Sequence, residues 1–305
     1  MSSPRRLRDL IARSGPPLML PGAPNALTAR VVEEAGYEAV YVSGAGVTNT
    51  FLGAPDLGLL TLNELADHVR AIADAVALPA IVDADTGFGN AINVQRTVRV
   101  LERAGAAGLQ LEDQVSPKKC GHFSGKDVIS ADEMVGKVRA AVDARIDDDF
   151  AIVARTDALA TEGLEQAVDR IGRYRDAGAD ILFVEAPRSA EQMRHVVRSV
   201  PGVHMANMVE GGLTPLTSRE ELGEIGYAVA LYANAAMRGA VAGMREVLDH
   251  LAEHGDTTRA SELMISWQDR QSLVRKPDYD ELERRYAAEA NTPGADGSEQ
   301  DGDVA

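Results

Sequence analysis

Two aspartates, Asp83 and Asp85, stand one residue apart directly after an apolar run at 80–82. Other apolar runs also end in functional groups: Ser43, Glu112, Arg155 with Asp157, Glu185 and Asn207. If these run ends face one mouth, Asp83, Asp85 and Glu112 crowd together. Such carboxylates cannot all stay ionised and unpaired, so either their pKa values rise or a cation neutralises them. Carboxylate ligands without His or Cys favour a hard ion. Mg2+ fits, because it uses one or two carboxylates and keeps several waters, and Mn2+ could replace it. Calcium is disfavoured by the lack of an EF-hand-like loop. A salt-bridge network around Arg155 is the competing account. Capping of the following helix, group by group, is another.

The second cluster is Lys118-Lys119-Cys120-Gly121-His122, followed by Phe123-Ser124-Gly125-Lys126. It lies in a long polar connection, suited to a lid over such a mouth. A Cys beside a His reads as a nucleophile. A thiol with an ordinary pKa of about 8.5 is also protonated at neutral pH, so Cys120 could instead donate a proton to a carbanion. An inert buried thiol is the third account, and the flanking Lys and His residues count against it.

The groups need elements to position them. Short apolar runs at 18–20, 39–42, 80–82, 109–111, 151–154, 181–184, 203–206 and 227–231 alternate with helical-period stretches such as 62–76, 94–104, 131–144 and 164–177. Runs so short and so uniformly apolar suit parallel strands covered on both faces. Ala35-Gly36, Ala104-Gly105, Ala177-Gly178 and Ile225-Gly226 each close a helix shortly before a run, with glycine at the left-handed position past the helix end. Eight such units in about 250 residues predict a (β/α)8 TIM barrel over residues 1–256, with all strand C-terminal ends at one mouth. A doubly wound open sheet is the alternative. Residues 257–290 keep a helical pattern, and Trp267, Leu273, Val274, Tyr279, Leu282 and Tyr286 form an apolar stripe in need of a partner. The Gly/Asp/Ser-rich stretch 291–305 reads as a disordered acidic tail.

The net charge of −16 disfavours nucleic acid as a partner, since phosphate binding needs a basic face. An anionic small substrate stays open, because a few local Arg and Lys residues can invert the field in a cleft. Cys120 is the only cysteine, so no intrachain disulfide forms and a reducing compartment fits. Residues 1–9 lack the apolar run of a signal peptide, and nothing approaches the roughly 18 apolar residues of a membrane helix. The expectation is a cytoplasmic protein without a membrane partner.

Taken together, Asp83-Ala84-Asp85-Thr86-Gly87-Phe88-Gly89 resembles the metal-binding segment of the isocitrate lyase/phosphoenolpyruvate mutase superfamily, and Lys118-Lys119-Cys120-Gly121-His122 resembles the catalytic loop of its lyase members. Tyr41-Val42-Ser43-Gly44, Leu52-Gly53-Ala54-Pro55-Asp56, Leu111-Glu112-Asp113-Gln114, Ala154-Arg155-Thr156-Asp157 and Asn207-Met208-Val209-Glu210-Gly211-Gly212 match in order from about residue 17 to 286. The resemblance implies a TIM barrel whose C-terminal helices swap onto a neighbouring subunit, usually in homotetramers. It implies that Asp83 and Asp85 hold Mg2+, with Asp56 and Glu112 reaching it through water. Ser43, Gly44 and Ala45 would bind substrate, although methylisocitrate lyases have glycine where Ala45 stands. Cys120 would be the general acid, with Gly121 and His122 on the substrate. Arg155, Glu185 and Asn207 would orient the hydroxyacid end, and Arg238 and Arg270 would meet the distal carboxylates.

The implied activity is retro-aldol cleavage of a 2-hydroxy di- or tricarboxylate to a 2-oxoacid, with the hydroxyl proton leaving to a group near Tyr41 or Glu185. Phe123-Ser124-Gly125-Lys126 and Val209-Glu210-Gly211-Gly212-Leu213-Thr214-Pro215 look more like 2,3-dimethylmalate and 2-alkylmalate lyases, and also like carboxyphosphonoenolpyruvate mutase. Against the mutase, Arg238 and Arg270 offer two fixed cations suited to carboxylates. Oxaloacetate hydrolase or decarboxylase activity is the next rival, and a non-catalytic dicarboxylate sensor is the rival from another class.

Overall fold

The computed structural model describes residues 1–119 and 125–290. Eight parallel strands form one sheet: β1 Leu18–Pro21, β2 Val40–Val42, β3 Ala80–Asp83, β4 Gly108–Glu112, β5 Ala151–Thr156, β6 Ile181–Val184, β7 Val203–Asn207 and β8 Val229–Tyr232. Their order is β1-β8-β7-β6-β5-β4-β3-β2. The β1–β2 seam is joined by the Gly22–Tyr41 bridge and by the Ala23 amide donating to the Tyr41 carbonyl at 2.8 Å. The sheet is therefore a nearly closed TIM barrel, and the open-sheet alternative falls. Gly22 lets the seam close, because a Cβ there would lie 1.9 Å from the Ala233 carbonyl oxygen.

Local chemistry sets the helix limits. Thr61 and Glu64 form a capping box before Leu62–Ala75, and Asn90 and Asn93 do the same before Ala91–Arg103. That second cap starts its helix three residues ahead of the apolar periodicity. Gly36, Gly105, Gly178 and Gly226 have φ of 82°, 102°, 105° and 109°, as expected for residues that end helices left-handed. The run at 227–231 yields a strand only from Val229, because Tyr227 and Ala228 belong to the lead-in from the preceding helix, where Tyr227 is buried.

Two apolar shells result. One fills the barrel interior with Leu20, Tyr41, Ile81, Val153, Phe183, Met205 and Leu231. The helix Ser3–Ile11 adds Leu7, Leu10 and Ile11 to it and plugs that end of the barrel. The other shell packs the helices against the outer face of the sheet.

The helix Ala235–His254 behaves differently. It runs for 20 residues with none buried, and Val241, Met244, Leu248 and Leu251 on it are exposed. Beside its start lies an apolar groove of about 480 Å³, lined by Met19, Val31, Val32, Tyr37 and Tyr232 among others. The helices Trp267–Leu273 and Lys276–Ala290 follow, with Trp267, Tyr279, Leu282 and Tyr286 exposed. Arg275 pairs with Glu33 of the barrel at 3.0 Å. Among the described residues no helix is long and apolar enough to cross a membrane. The expected tail at 291–305 lies outside the described residues.

Candidate active site

In a strand, residues two apart share a face. Ile81, Val153, Phe183 and Met205 point into the barrel core. The residues two further on, Asp83, Arg155, Glu185 and Asn207, therefore emerge at the mouth. Gln110 and Glu112 follow the same rule on β4, and the register sets Gln110 beside Asp83 and Glu112 beside Arg155. Ser43, Ala45 and Asp56 join Asp83, Glu112, Arg155, Glu185 and Asn207 around one cavity of about 90 Å³.

Asp83 and Asp85 present oxygens to a common position. Asp85 sits just past β3 with φ 49°, a left-handed conformation that Asp tolerates better than most residues. Its amide donates to Asp83 Oδ1 at 3.2 Å. Gly44 approaches both carboxylates: a Cβ there would lie 3.1 Å from Asp85 Oδ1 and 3.2 Å from Asp83 Oδ2. Burial, with further repulsion from Asp83 and Asp56, raises the Asp85 carboxyl to about 7 against the pull of Lys118. Burial also pushes Glu112 well above the usual carboxylate range, and Glu112 Oε1 is buried with no hydrogen-bond partner.

Two cations answer this cluster. Arg155 lies 2.9 Å from Asp157 and 3.5 Å from both Glu112 and Glu185, with its guanidinium 5.2 Å from the centre of the Phe183 ring. Lys118 Nζ stands 2.7 Å from Asp56 and 2.7 Å from Asp85, and its side chain is only 4% exposed. Burial alone would lower that ammonium, but Asp85, Asp83, Glu112 and Asp56 outweigh it and hold it well above the ordinary lysine range. The salt-bridge account is thus correct for Arg155, while Asp83 and Asp85 lie outside the Arg155 ion pairs. Capping is correct for Ser43, whose hydroxyl accepts from the Gly46 amide at 3.1 Å, but Asp157 makes no such cap.

The donor set suits a hard divalent cation: oxygen ligands only, two of them aimed at one spot, and a buried carboxylate oxygen short of partners. Among the described residues no three carboxyl, imidazole or thiol groups meet tightly enough to form a finished chelate.

Behind the carboxylates runs a chain of hydrogen bonds. Tyr41 donates to Gln110 Oε1 at 2.8 Å, and Gln110 Nε2 donates to Asp83 Oδ1 at 3.2 Å. Burial, then repulsion from Asp83, holds the Tyr41 hydroxyl well above the usual phenol range, so it stays a donor. Ser43 donates to Asn234 Oδ1 at 3.2 Å, and Asn207 donates to Glu185 at 3.4 Å. The connection after β4 is pinned on both sides. Gln114 exchanges two 2.9 Å hydrogen bonds with the Lys119 backbone, and Lys126 pairs with Asp157 at 2.7 Å.

Cys120, Gly121 and His122 lie outside the described residues. Arg238 is exposed and paired with Glu210 at 3.1 Å. Arg270 is exposed on the helix Trp267–Leu273, which packs beside Ala26–Glu34 on the outside of the barrel. Neither lines the cavity of its own chain. Gln110, Asn234 and the apolar wall of Val209, Leu231 and Ala233 escaped the sequence reading. A glutamine inside an otherwise apolar run was the available signal for the first of these.

The family described as phosphoenolpyruvate phosphomutase matches residues 7–252. The 2,3-dimethylmalate lyase of Eubacterium barkeri is 43% identical, over 94% of this chain and 99% of the relative. The chloroplastic carboxyvinyl-carboxyphosphonate phosphorylmutase of Arabidopsis thaliana is 43% identical over 95% and 86%. The 2-methylisocitrate lyase of Aeropyrum pernix is 44% identical over 93% and 91%. Among solved structures, oxaloacetate acetylhydrolase with the inhibitor 3,3-difluorooxalacetate superposes with a TM-score of 0.89 at 36% identity, covering 94% of this chain and 97% of that one. Phosphonopyruvate hydrolase in complex with oxalate and Mg++ gives 0.81 at 30% identity, covering 96% and 99%.

Proposed function

Since the chain belongs to the phosphoenolpyruvate phosphomutase family, we propose that it is a carbon–carbon lyase of this superfamily. Its substrate would be a 2-hydroxy di- or tricarboxylate of the 2-alkylmalate, 2,3-dimethylmalate or 2-methylisocitrate type, and its products a 2-oxoacid such as pyruvate and a carboxylic acid. The observation that carries this reading is the polarity of the small cavity. It is lined by the carboxylates Asp83, Glu112 and Asp56, by Arg155 and Asn207, and by the apolar Val209, Leu231 and Ala233. Such a pocket fits a short polyanion bearing an alkyl group.

Asp83 and Asp85, with Asp56 and Glu112 through water, would hold Mg2+ or Mn2+, which supplies Lewis-acid stabilisation of the oxyanion that becomes the 2-oxo group. Ser43 and the backbone of Gly44 and Ala45 would bind the carboxylate end, and Arg155 and Asn207 would orient it. Glu185, beside both Arg155 and Asn207, would take the hydroxyl proton. Tyr41 fits that role less well, because its hydroxyl already donates to Gln110. The electron pair of the breaking C–C bond would leave on the departing fragment as an enolate, and Cys120 would protonate its carbon. Gly121 and His122 would close over the substrate. Arg238 would have to release Glu210 to reach a distal carboxylate, and Arg270 would have to arrive from a neighbouring subunit.

The deciding experiment incubates the protein with Mg2+ and 2-alkylmalates, 2-methylisocitrate, oxaloacetate or a phosphonate substrate, then assays for products. Pyruvate from a malate derivative supports the lyase. The Arabidopsis relative, at equal identity, makes P–C bond formation the second reading, and turnover confined to the phosphonate would select it. Turnover of oxaloacetate alone would select the hydrolase or decarboxylase. Metal-dependent binding of every acid without turnover would select a sensor. Replacing Cys120 by Ser should lower turnover by at least about 100-fold while substrate binding persists. Near-normal turnover would remove the thiol from the chemistry.

The same premise leads to an assembly. Residues 1–256 would form the catalytic barrel, and the extension 257–290 would pack on a neighbouring subunit of a homotetramer. The helix Ala235–His254, with no buried residue, and the apolar groove at its start support an exchange of helices. Light scattering should report four copies, and a monomer at micromolar concentration would end this reading. The lone cysteine and the absence of a membrane-crossing helix among the described residues fit a cytoplasmic enzyme.

A further inference from the structure

Lys118 belongs to the connection after β4, and its ammonium is buried among carboxylates that follow the neighbouring strands β2 and β3. It lies 2.7 Å from Asp56 and 2.7 Å from Asp85. Both are close ion pairs, and Asp85 Oδ1, although it meets the ammonium, has no well-formed hydrogen bond among the described residues. The contact is specific in its surroundings too. Gly58 lies against the lysine stem: a Cβ there would sit at ordinary van der Waals distance, 3.7 Å, from Lys118 Cγ. Asp85 Oδ1, the oxygen that faces Gly44 together with Asp83 Oδ2, is the one that meets the ammonium.

We propose that Lys118 is an internal counter-cation of this carboxylate cluster, standing in for the divalent ion and weakening its binding when no substrate is present. The proposal rests on the assignment of Asp83 and Asp85 as cation ligands. Two positive charges drawn to one carboxylate oppose each other, so an incoming divalent ion must displace the ammonium from Asp85 or bind against its field. Displacement would remove one of the contacts that hold this connection, leaving the Gln114 bonds to Lys119 in place. The ion and the connection after β4 would then be thermodynamically linked, each changing the other's equilibrium by the same factor.

The test is calorimetric titration of Mn2+ into chelator-stripped, buffer-exchanged protein without substrate. Wild type is compared with Lys118→Met, Lys118→Gln, Lys118→Arg and Asp83→Asn. The neutral variants should bind Mn2+ on the order of tenfold more tightly than wild type, and Lys118→Arg should stay near wild type. If Lys118→Met fails to fold, Lys118→Gln retains hydrogen-bonding capacity without the charge and carries the same expectation. Wild-type Mn2+ binding that Asp83→Asn abolishes but that neither neutral variant tightens overturns the counter-cation and leaves the ligand assignment standing. No saturable binding by wild type overturns both.

Discussion

Glu112 and Asp113 share the end of β4 but, by strand alternation, face opposite ways. Glu112 turns into the mouth, where Arg155 stands 3.5 Å from one oxygen and the other lacks a hydrogen-bond partner. Asp113 turns toward the helix layer. There it accepts from the Thr156 hydroxyl at 2.7 Å, the Tyr174 hydroxyl at 2.8 Å and the Asp157 amide at 2.9 Å, with Arg170 at 3.5 Å. Both are buried, and burial raises both. What separates them is how many acceptor positions are filled. A fully engaged carboxylate ties β4, β5 and the helix Leu164–Asp176 together. One left short of donors is unfinished without something from outside the chain.

Three substitutions would break or sharpen that contrast. Asp83→Asn should lower kcat/KM by about 1,000-fold or more, on the scale of lost metal-assisted charge stabilisation. Its melting temperature should hold, because the asparagine oxygen can still accept from the Asp85 amide and Gln110 while one of several crowded buried carboxylates loses its charge. A melting temperature that falls in step with activity would move Asp83 to the scaffold side. Asp113→Ala should cost about 3 kcal/mol of stability in urea denaturation, since it strands Tyr174, Thr156 and part of Arg170. The KM of the folded enzyme should barely change, and a large rise would erase the distinction. Gln110→Leu cuts the chain from Tyr41 to Asp83. Divalent-cation affinity should weaken roughly tenfold, as when a group supporting a metal ligand is lost. Calorimetry reads this directly, and unchanged affinity would make Gln110 mere filling.

The barrel was legible because its strands are buried on both faces, so apolar runs mark them. The run at 181–184 and the helix Ala131–Ala144 emerge with the predicted limits. The groups at the mouth were legible for a related reason. Asp83, Glu112, Glu185 and Asn207 each end a strand or directly follow one, and a charge there interrupts an apolar pattern. Gln110 stayed hidden because it sits within its strand, one layer below the mouth. Asn234 stayed hidden because it follows β8 after Tyr232 and Ala233, past the expected end of the run. The lysine-rich loop was visible, but the carboxylates that Lys118 would select were not. A long flexible side chain that pairs with residues of other loops leaves no periodic trace. The solitary course of Ala235–His254 was equally invisible, since its apolar stripe reads like that of any packed helix.

The helix Ser3–Ile11 gives the vessel a floor. With the barrel interior packed and Leu7, Leu10 and Ile11 continuing that packing at its far end, traffic is confined to a single doorway. For a cleavage reaction that imposes a queue: the fragment lodged deeper cannot depart until the one nearer the doorway has gone. Product inhibition should then differ in kind between the two fragments, the last to leave competing with fresh substrate and the first to leave acting on an occupied enzyme.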